Sequence, residues 1–331
     1  MLDVVTLGET MLRLSSPATQ RLEQTVILNV DVAGAESNVA VALSRLGLQT
    51  GWVSRLTANP LGRMVVNKIR EQGVDVSGVL WTDEARVGTY YLEIGHPPRP
   101  NMVIYDRAHS AFSLVNAEEV DWDYMANARV LHLTGITPGL SPNCRTLILR
   151  ALDVAKKVGQ IVTFDLNYRS KIWSPEEAAG ALGEILSSVD ILLSGREEVQ
   201  TVFGFEGTSV DVAATLRDRF SIDLVVLREG ERGTVAHDGK LHFHEAYEVE
   251  IVDRVGAGDA FAAGFLFGYL FDGRPMDRPE TMLAEPLGTV DHGLAFGMAL
   301  AALKLTHHGD ISWSTRDDVL NLMHRRQQGW R

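Results

Sequence analysis

The stretch Asp253-Arg254-Val255-Gly256-Ala257-Gly258-Asp259, followed at once by Ala260-Phe261-Ala262-Ala263-Gly264-Phe265, decides how the rest of the chain is read. A glycine-bearing turn runs into an apolar helix, and an aspartate sits at the junction. The first backbone N–H groups of a helix have no intrahelical partner and carry partial positive charge, so they attract phosphate oxygens. Gly256 and Gly258 have no Cβ, which lets the turn bend and a phosphate approach. A carboxylate repels phosphate. Asp259 is therefore badly placed to hold one and well placed to take the proton of a hydroxyl that attacks one. Two readings stand on this segment alone: a phosphoryl-transfer loop with Asp259 as base, or an ordinary glycine-rich turn capped by aspartate.

Upstream, strand and helix patterns alternate. Met1–Gly8 reads as a buried first strand, and Arg129–Leu133, Ile161–Leu166, Asp190–Leu193 and Leu224–Leu227 as further strands. Between them, Cys144–Val158 and Asp211–Arg219 have helical spacing, and Ser174-Pro175-Glu176-Glu177 is a helix start with a capping box. This alternation predicts an α/β fold with a mostly parallel central sheet and helices on both faces. Ligands in such folds sit at the carboxyl ends of the strands. Residues 12–33 and 86–113 break the rhythm. Val26–Val32, Thr89–Ile94 and Met102–Tyr105 are strand-like with no helix between them, and Gly95–Asn101 is a hairpin-type connection. They read as a small antiparallel β sheet inserted in a single domain spanning 1–331, serving as a lid over a cleft or as a dimerisation flap. Phe271–Gly288 reads as an exposed loop ahead of the helix Val290–Leu305. In the helix after Asp259, Ala260, Gly264 and Gly268, four apart, predict close packing of one face against the sheet.

The formal net charge of −12 across 331 residues argues against nucleic acid or an anionic membrane as a main partner. The N-terminus lacks the pattern of a signal peptide, and Cys144, the one cysteine, fits a reducing cytoplasm. A nicotinamide oxidoreductase is disfavoured, because Gly8-Glu9-Thr10 rather than a Gly-x-Gly-x-x-Gly turn follows the first strand. His242 and His244 have the same-face spacing of a metal pair but lack a third ligand. Polar residues cluster at strand ends: Asp165-Leu166-Asn167-Tyr168-Arg169, Ser194-Gly195-Arg196-Glu197-Glu198 and Arg228-Glu229-Gly230-Glu231-Arg232-Gly233. A second small-residue turn, Ala33-Gly34-Ala35-Glu36-Ser37-Asn38, enters the helix Val39–Leu46. Several such ends on one sheet edge point to a site more strongly than any one motif does.

With these motifs the chain resembles the ribokinase-like (PfkB-type) carbohydrate kinases along essentially its whole length. Asp253–Asp259 is similar to that family's C-terminal signature. The Gly34 turn is similar to its N-terminal di-glycine signature, with Ala33 where a first glycine is usual. Ser194 stands where an Asn-x-x-Glu motif has Asn, with Glu197 retained. Gly34–Asn38, Tyr105–Ala111, Asp165–Arg169 and Arg254 are most similar to the 2-keto-3-deoxygluconate kinases.

The resemblance implies Asp259 as general base and the amides of Gly256, Ala257 and Gly258 as an anion hole. It implies that Gly34, Asn38, Tyr90, Tyr105, Arg107, Arg169 and Asp310, with Asp259, contact the acceptor, the arginines matching a sugar-acid carboxylate. Asn167, Ser194, Arg228, Gly230 and Gly233 would bind ATP with the loop amides, and Glu197 would act through water on Mg²⁺. A monovalent cation beside the Asp253 loop and a homodimer or larger homo-oligomer through the lid are further implications. The implied reaction is ATP-dependent phosphorylation of the primary hydroxyl of a sugar acid, 2-keto-3-deoxygluconate to its 6-phosphate. The alternatives are a fructokinase or other neutral-sugar kinase, and a catalytically silent sugar-binding protein on the same scaffold.

Overall fold

Alternate residues of the central strands enter two different cores, which makes this a three-layer α/β structure. The computed structural model describes residues 1–17, 19–95, 98–272 and 288–327. In chain order the strands are β1 Leu2–Leu7, β2 Met11–Ser15, β3 Asn29–Ala33, β4 Thr50–Thr57, β5 Val79–Thr82, β6 Thr89–Glu93, β7 Met102–Asp106, β8 Ala128–Thr134, β9 Ile161–Asp165, β10 Ile191–Gly195, β11 Leu224–Arg228, β12 Thr234–His237 and β13 Leu241–His244. Nine of them form one sheet in the order β13-β12-β11-β10-β9-β8-β1-β4-β5. Pairing is parallel from β11 to β5, and β12 and β13 extend the sheet antiparallel.

Val5, Leu131, Leu192 and Val225 bury into one core, with helices Pro142–Val158, Pro175–Leu186 and Ser209–Phe220. Val4, Val130, Leu193 and Val226 bury into the other, with helices Ala35–Arg45, Ala257–Leu266 and Val290–Leu305. Strands buried on both faces are continuous apolar runs for this reason. The predicted cap at Ser174 is present: its hydroxyl accepts from the Glu177 N–H at 3.2 Å, and the Glu177 carboxylate accepts from the Ser174 N–H at 3.0 Å.

The second sheet has the order β3-β2-β6-β7. Its outer pairings are antiparallel and its central pairing, β2 with β6, is parallel. A long excursion through β4 and β5 separates the two hairpins, which supplies the long connection a parallel pairing requires. His96 and Pro97 of the predicted Gly95–Asn101 connection, and 273–287 of the predicted loop, lie outside the described residues.

One packing expectation is corrected. The small face at Gly264 and Gly268 meets the helix Val290–Leu305, not the sheet. A Cβ on Gly264 would lie 2.9 Å from Gly297 Cα, and one on Gly268 would lie 3.2 Å from Gly293 Cα. Glycine faces glycine, and the two helices cross at backbone contact while Phe261 and Phe265 fill the core.

Candidate active site

The turn before helix Ala257–Leu266 is the centre of the site. Gly256 caps the helix with φ 81°, in the left-handed region, and a Cβ there would lie 2.0 Å from the Asp310 carbonyl oxygen. Only glycine fits, because both the backbone conformation and the approach of Asp310 exclude a side chain. Gly258 differs: a Cβ there would meet Arg228 only at an ordinary 3.8 Å. Its bare backbone faces open cavity. Asp259, in the first helical turn, accepts a 2.7 Å hydrogen bond from Asn38 Nδ2. Burial, with Asp165 and Asp310 nearby, pushes its carboxyl up to about 7, while Asn38 and Arg169 oppose the rise.

Two cavities meet at this turn. The smaller, about 460 Å³, lies between the two sheets and is lined by Gly34, Asn38, Tyr90, Tyr105, Arg107, Asn167, Arg169, Asp259 and Asp310 among others. The larger, about 650 Å³, is lined by Arg228, Gly230, Gly233, Ala257 and Gly258, with apolar walls from Val249, Ile251, Phe261 and Leu305. Arg228, Arg254 and Gly258 border both.

In the smaller cavity every predicted acceptor residue comes together. Gly34 is pressed against Glu9, where a Cβ would sit 2.3 Å from the Glu9 carbonyl oxygen. Ala33 has ordinary strand backbone at the end of β3, so alanine is accommodated there. The Tyr90 hydroxyl donates to Asp310 at 3.0 Å, and its ring packs 5.9 Å from that of Tyr105. Arg107 Nε donates to Glu9 Oε2 at 2.8 Å. Arg169 is exposed at the rim. Glu9 Oε1 and Asn38 Oδ1 are buried with no hydrogen-bond partner among the described residues. Buried polar atoms rarely stay unpaired, and both residues belong to the lining of this cavity.

The strand ends supply the rest. Arg228, at the end of β11, grips Asp165, at the end of β9, by two hydrogen bonds of 2.8 and 3.0 Å. Asn167 holds a left-handed backbone, φ 40°, and its N–H donates to Asp165 at 3.2 Å. Such backbone outliers concentrate at functional sites.

Two predicted positions lie elsewhere. Ser194 is fully buried, its hydroxyl donating to the Gly195 carbonyl at 3.0 Å and to Glu198 at 3.2 Å, and it lines neither cavity. Glu197 is exposed and lines neither cavity. Glu198 lines the acceptor cavity and caps its own helix, accepting from the Gly195 N–H at 3.2 Å. The Asn-x-x-Glu spacing is thus displaced by one: counted back from Glu198, its first position is Gly195. Burial raises the Glu198 carboxyl, and Arg228 opposes the rise.

The profile of the pfkB family carbohydrate kinases matches residues 1–317. The chain belongs to that family. Among relatives of this pfkB kinase, a 2-dehydro-3-deoxygalactonokinase of Haloferax volcanii is 40% identical over 318 residues, covering 96% of this chain and 95% of the relative. A 5-dehydro-2-deoxygluconokinase of Geobacillus kaustophilus is 31% identical, covering 82% of each chain. The crystal structure of a 2-dehydro-3-deoxygluconokinase from Thermotoga maritima superposes with a TM-score of 0.88 at 33% identity and covers 98% of both chains.

The pfkB kinase site contains residues that motif reading missed. Arg13 of β2 is buried and binds both Asp310 and Asp253, the latter at 3.1 Å. A charge inside the apolar run Met-Leu-Arg-Leu was the available signal, since a buried guanidinium demands carboxylates. Glu36 is buried beneath Gly8 and accepts 2.7 Å bonds from the hydroxyls of Thr134 and Thr137. His242 is held by Asp238 and Asp291, and among the described residues no cluster of three or more His, Cys, Asp or Glu could hold a metal.

Proposed function

We propose that this pfkB kinase transfers the γ-phosphoryl group of ATP to the primary hydroxyl of a 2-keto-3-deoxy sugar acid, with 2-keto-3-deoxygluconate as acceptor and its 6-phosphate as product. The observation that carries the reading is the junction of two cavities at Gly258, with a carboxyl poised near neutrality beside it. Nucleotide in the larger cavity would present its terminal phosphate to the amides of Gly256, Ala257 and Gly258. Asp259 would take the proton of the attacking hydroxyl, and a base with its pKa near the working pH is well matched to that task. The amides would meet the charge that develops on the transferred group.

Arg107 is already matched by Glu9 and Arg228 by Asp165, so Arg169, with Arg254 beside it in the lining, would meet a substrate carboxylate. The unpaired oxygens of Glu9 and Asn38 would accept from acceptor hydroxyls, while Tyr90, Tyr105 and Asp310 wall the cavity. Arg228, Gly230 and Gly233 would line the nucleotide. Glu198 suits a Mg²⁺ that arrives on the nucleotide, since Mg²⁺ keeps several waters and takes few protein carboxylates beside phosphates, while Asp165 is held by Arg228. Bound Mg²⁺ would neutralise charge on the phosphates.

The galactonate-derived acid is the second reading, favoured by the 40% identity to the Haloferax volcanii enzyme. A panel of both sugar acids, fructose and ribose with coupled detection of ADP tests both readings. Fastest turnover of a sugar acid is expected. Faster turnover of fructose overturns the acid assignment, and absence of turnover with measurable sugar binding returns the silent-scaffold reading.

The second sheet would act as lid and as dimer face. Its outer surface carries Val30, Leu14, Tyr91 and Ile104 paired across all four strands, with Val30 and Ile104 about half exposed. Ile104→Asp should yield monomer by light scattering, and an unchanged oligomer refutes this face. The buried, unpaired Cys144 supports a cytoplasmic setting.

A further inference from the structure

Lys304, in the helix Val290–Leu305, is fully buried. Lysine is almost never fully buried unless its charge is compensated. Its Nζ donates to the main-chain oxygen of Asp253 at 3.1 Å and to that of His307 at 3.2 Å. The Asp253 carboxylate is engaged otherwise, accepting from Arg13 at 3.1 Å, from the Val255 N–H at 3.0 Å and from the Gly309 N–H at 3.2 Å. The ammonium therefore meets main-chain carbonyls, with carboxylates beyond them. Those carbonyls belong to the two segments that build the anion hole. Asp253 opens the turn that ends at Gly256, and His307 precedes the Asp310 carbonyl against which Gly256 is packed. A cation here is also favoured by the carboxyl end of its own helix.

Main-chain carbonyls around a compact monovalent charge are the ligand chemistry of a bound potassium or ammonium ion. We propose that Lys304 is a built-in monovalent cation that clamps the anion-hole turn, so that the kinase needs no dissolved K⁺ or Na⁺. The cation implied beside the Asp253 loop is then covalently attached. Lys304 acts as a positioning residue, because its charge reaches the reaction only through the Asp253–Gly256 backbone. The turnover part of this inference rests on the proposed kinase reaction, whereas the clamp does not.

The test compares the wild type with Lys304→Ala in tetramethylammonium chloride, KCl and NH₄Cl at equal ionic strength, by thermal melting without substrates and by kcat and KM. The wild type should show the same melting temperature and kcat in all three salts. Lys304→Ala should lose kcat in tetramethylammonium by about 10²-fold, the effect of misplacing catalytic groups on the order of 1 Å. K⁺ or NH₄⁺ should restore both kcat and melting temperature with saturation, as binding to the folded form requires. Activation of the wild type by K⁺ overturns the proposal, as does a folded variant that is fully active in tetramethylammonium or recovers in no salt. If Lys304→Ala does not fold, the wild-type arm decides: K⁺ activation sinks the idea and indifference sustains it. If the acceptor assignment is wrong, neither protein turns over, and the cation-dependent melting of the variant still reports on the clamp.

Discussion

Replacing Asp259 with asparagine should move activity and stability in opposite directions. The folded chain holds the Asp259 carboxyl at about 7 against an ordinary 3.8, chiefly because the site withholds water from the carboxylate. At 1.36 kcal/mol per pH unit the difference is worth about 4 kcal/mol at most. Solvent still reaches Asp259 from the cavity, so about 2 kcal/mol is the working figure after screening. The sign follows from proton linkage. The folded form binds this proton more tightly than the unfolded form, so stability from the protonated group is fully present below the unfolded value. It is lost as pH rises through about 7. The substituted carboxamide never ionises and avoids that loss, and its NH₂ group can donate to the otherwise unpaired Asn38 Oδ1. The variant should therefore melt about 3 °C above the wild type at pH 8, with the gap closing toward pH 4. Loss of the base should lower kcat by about 10²–10⁴-fold with little change in KM. Coupled ADP detection and melting scans across that pH range measure both. A pH-independent gap, a less stable variant at pH 8, or near-normal kcat would each refute the reasoning.

The same carboxyl predicts that kcat/KM falls as pH drops through about 7, and that Asn38→Ala moves this limb to higher pH by removing a bond that favours the carboxylate; an unmoved limb assigns the titration to another group. Glu198→Gln should lower kcat and raise the Mg²⁺ concentration needed for half-maximal rate, while Glu197→Gln leaves both unchanged; the reverse result would restore Glu197. Gly256→Ala forces a non-glycine residue to φ 81° and a Cβ onto the Asp310 carbonyl, so it should cost at least about 1–3 kcal/mol. Chemical denaturation should show that loss, and a neutral result would mean that the turn is free to rearrange.

What the sequence reveals here is set by how far apart cooperating residues lie. The fold is legible because each signal is local: double-faced strands are apolar runs, and the Ser174 cap and the Gly256 turn are contiguous. The acceptor site is legible where a strand end carries its own polar cluster, as at Asp165–Arg169. It fails where one residue of rotation decides. Neighbouring glutamates on a helix point about 100° apart, and the bond from the Gly195 N–H to Glu198 turns that side chain inward while Glu197 faces solvent. It also fails for pairs distant in sequence. Nothing near Arg13 announces Asp253 and Asp310, and nothing near Lys304 announces the Asp253 carbonyl. What is visible is the anomaly each creates locally, a charge within an apolar run, and burial of that charge requires a partner somewhere. Lone charges in the apolar stretches of a chain such as this therefore mark where distant segments must be joined, and here both of them lead to the turn that carries Asp259.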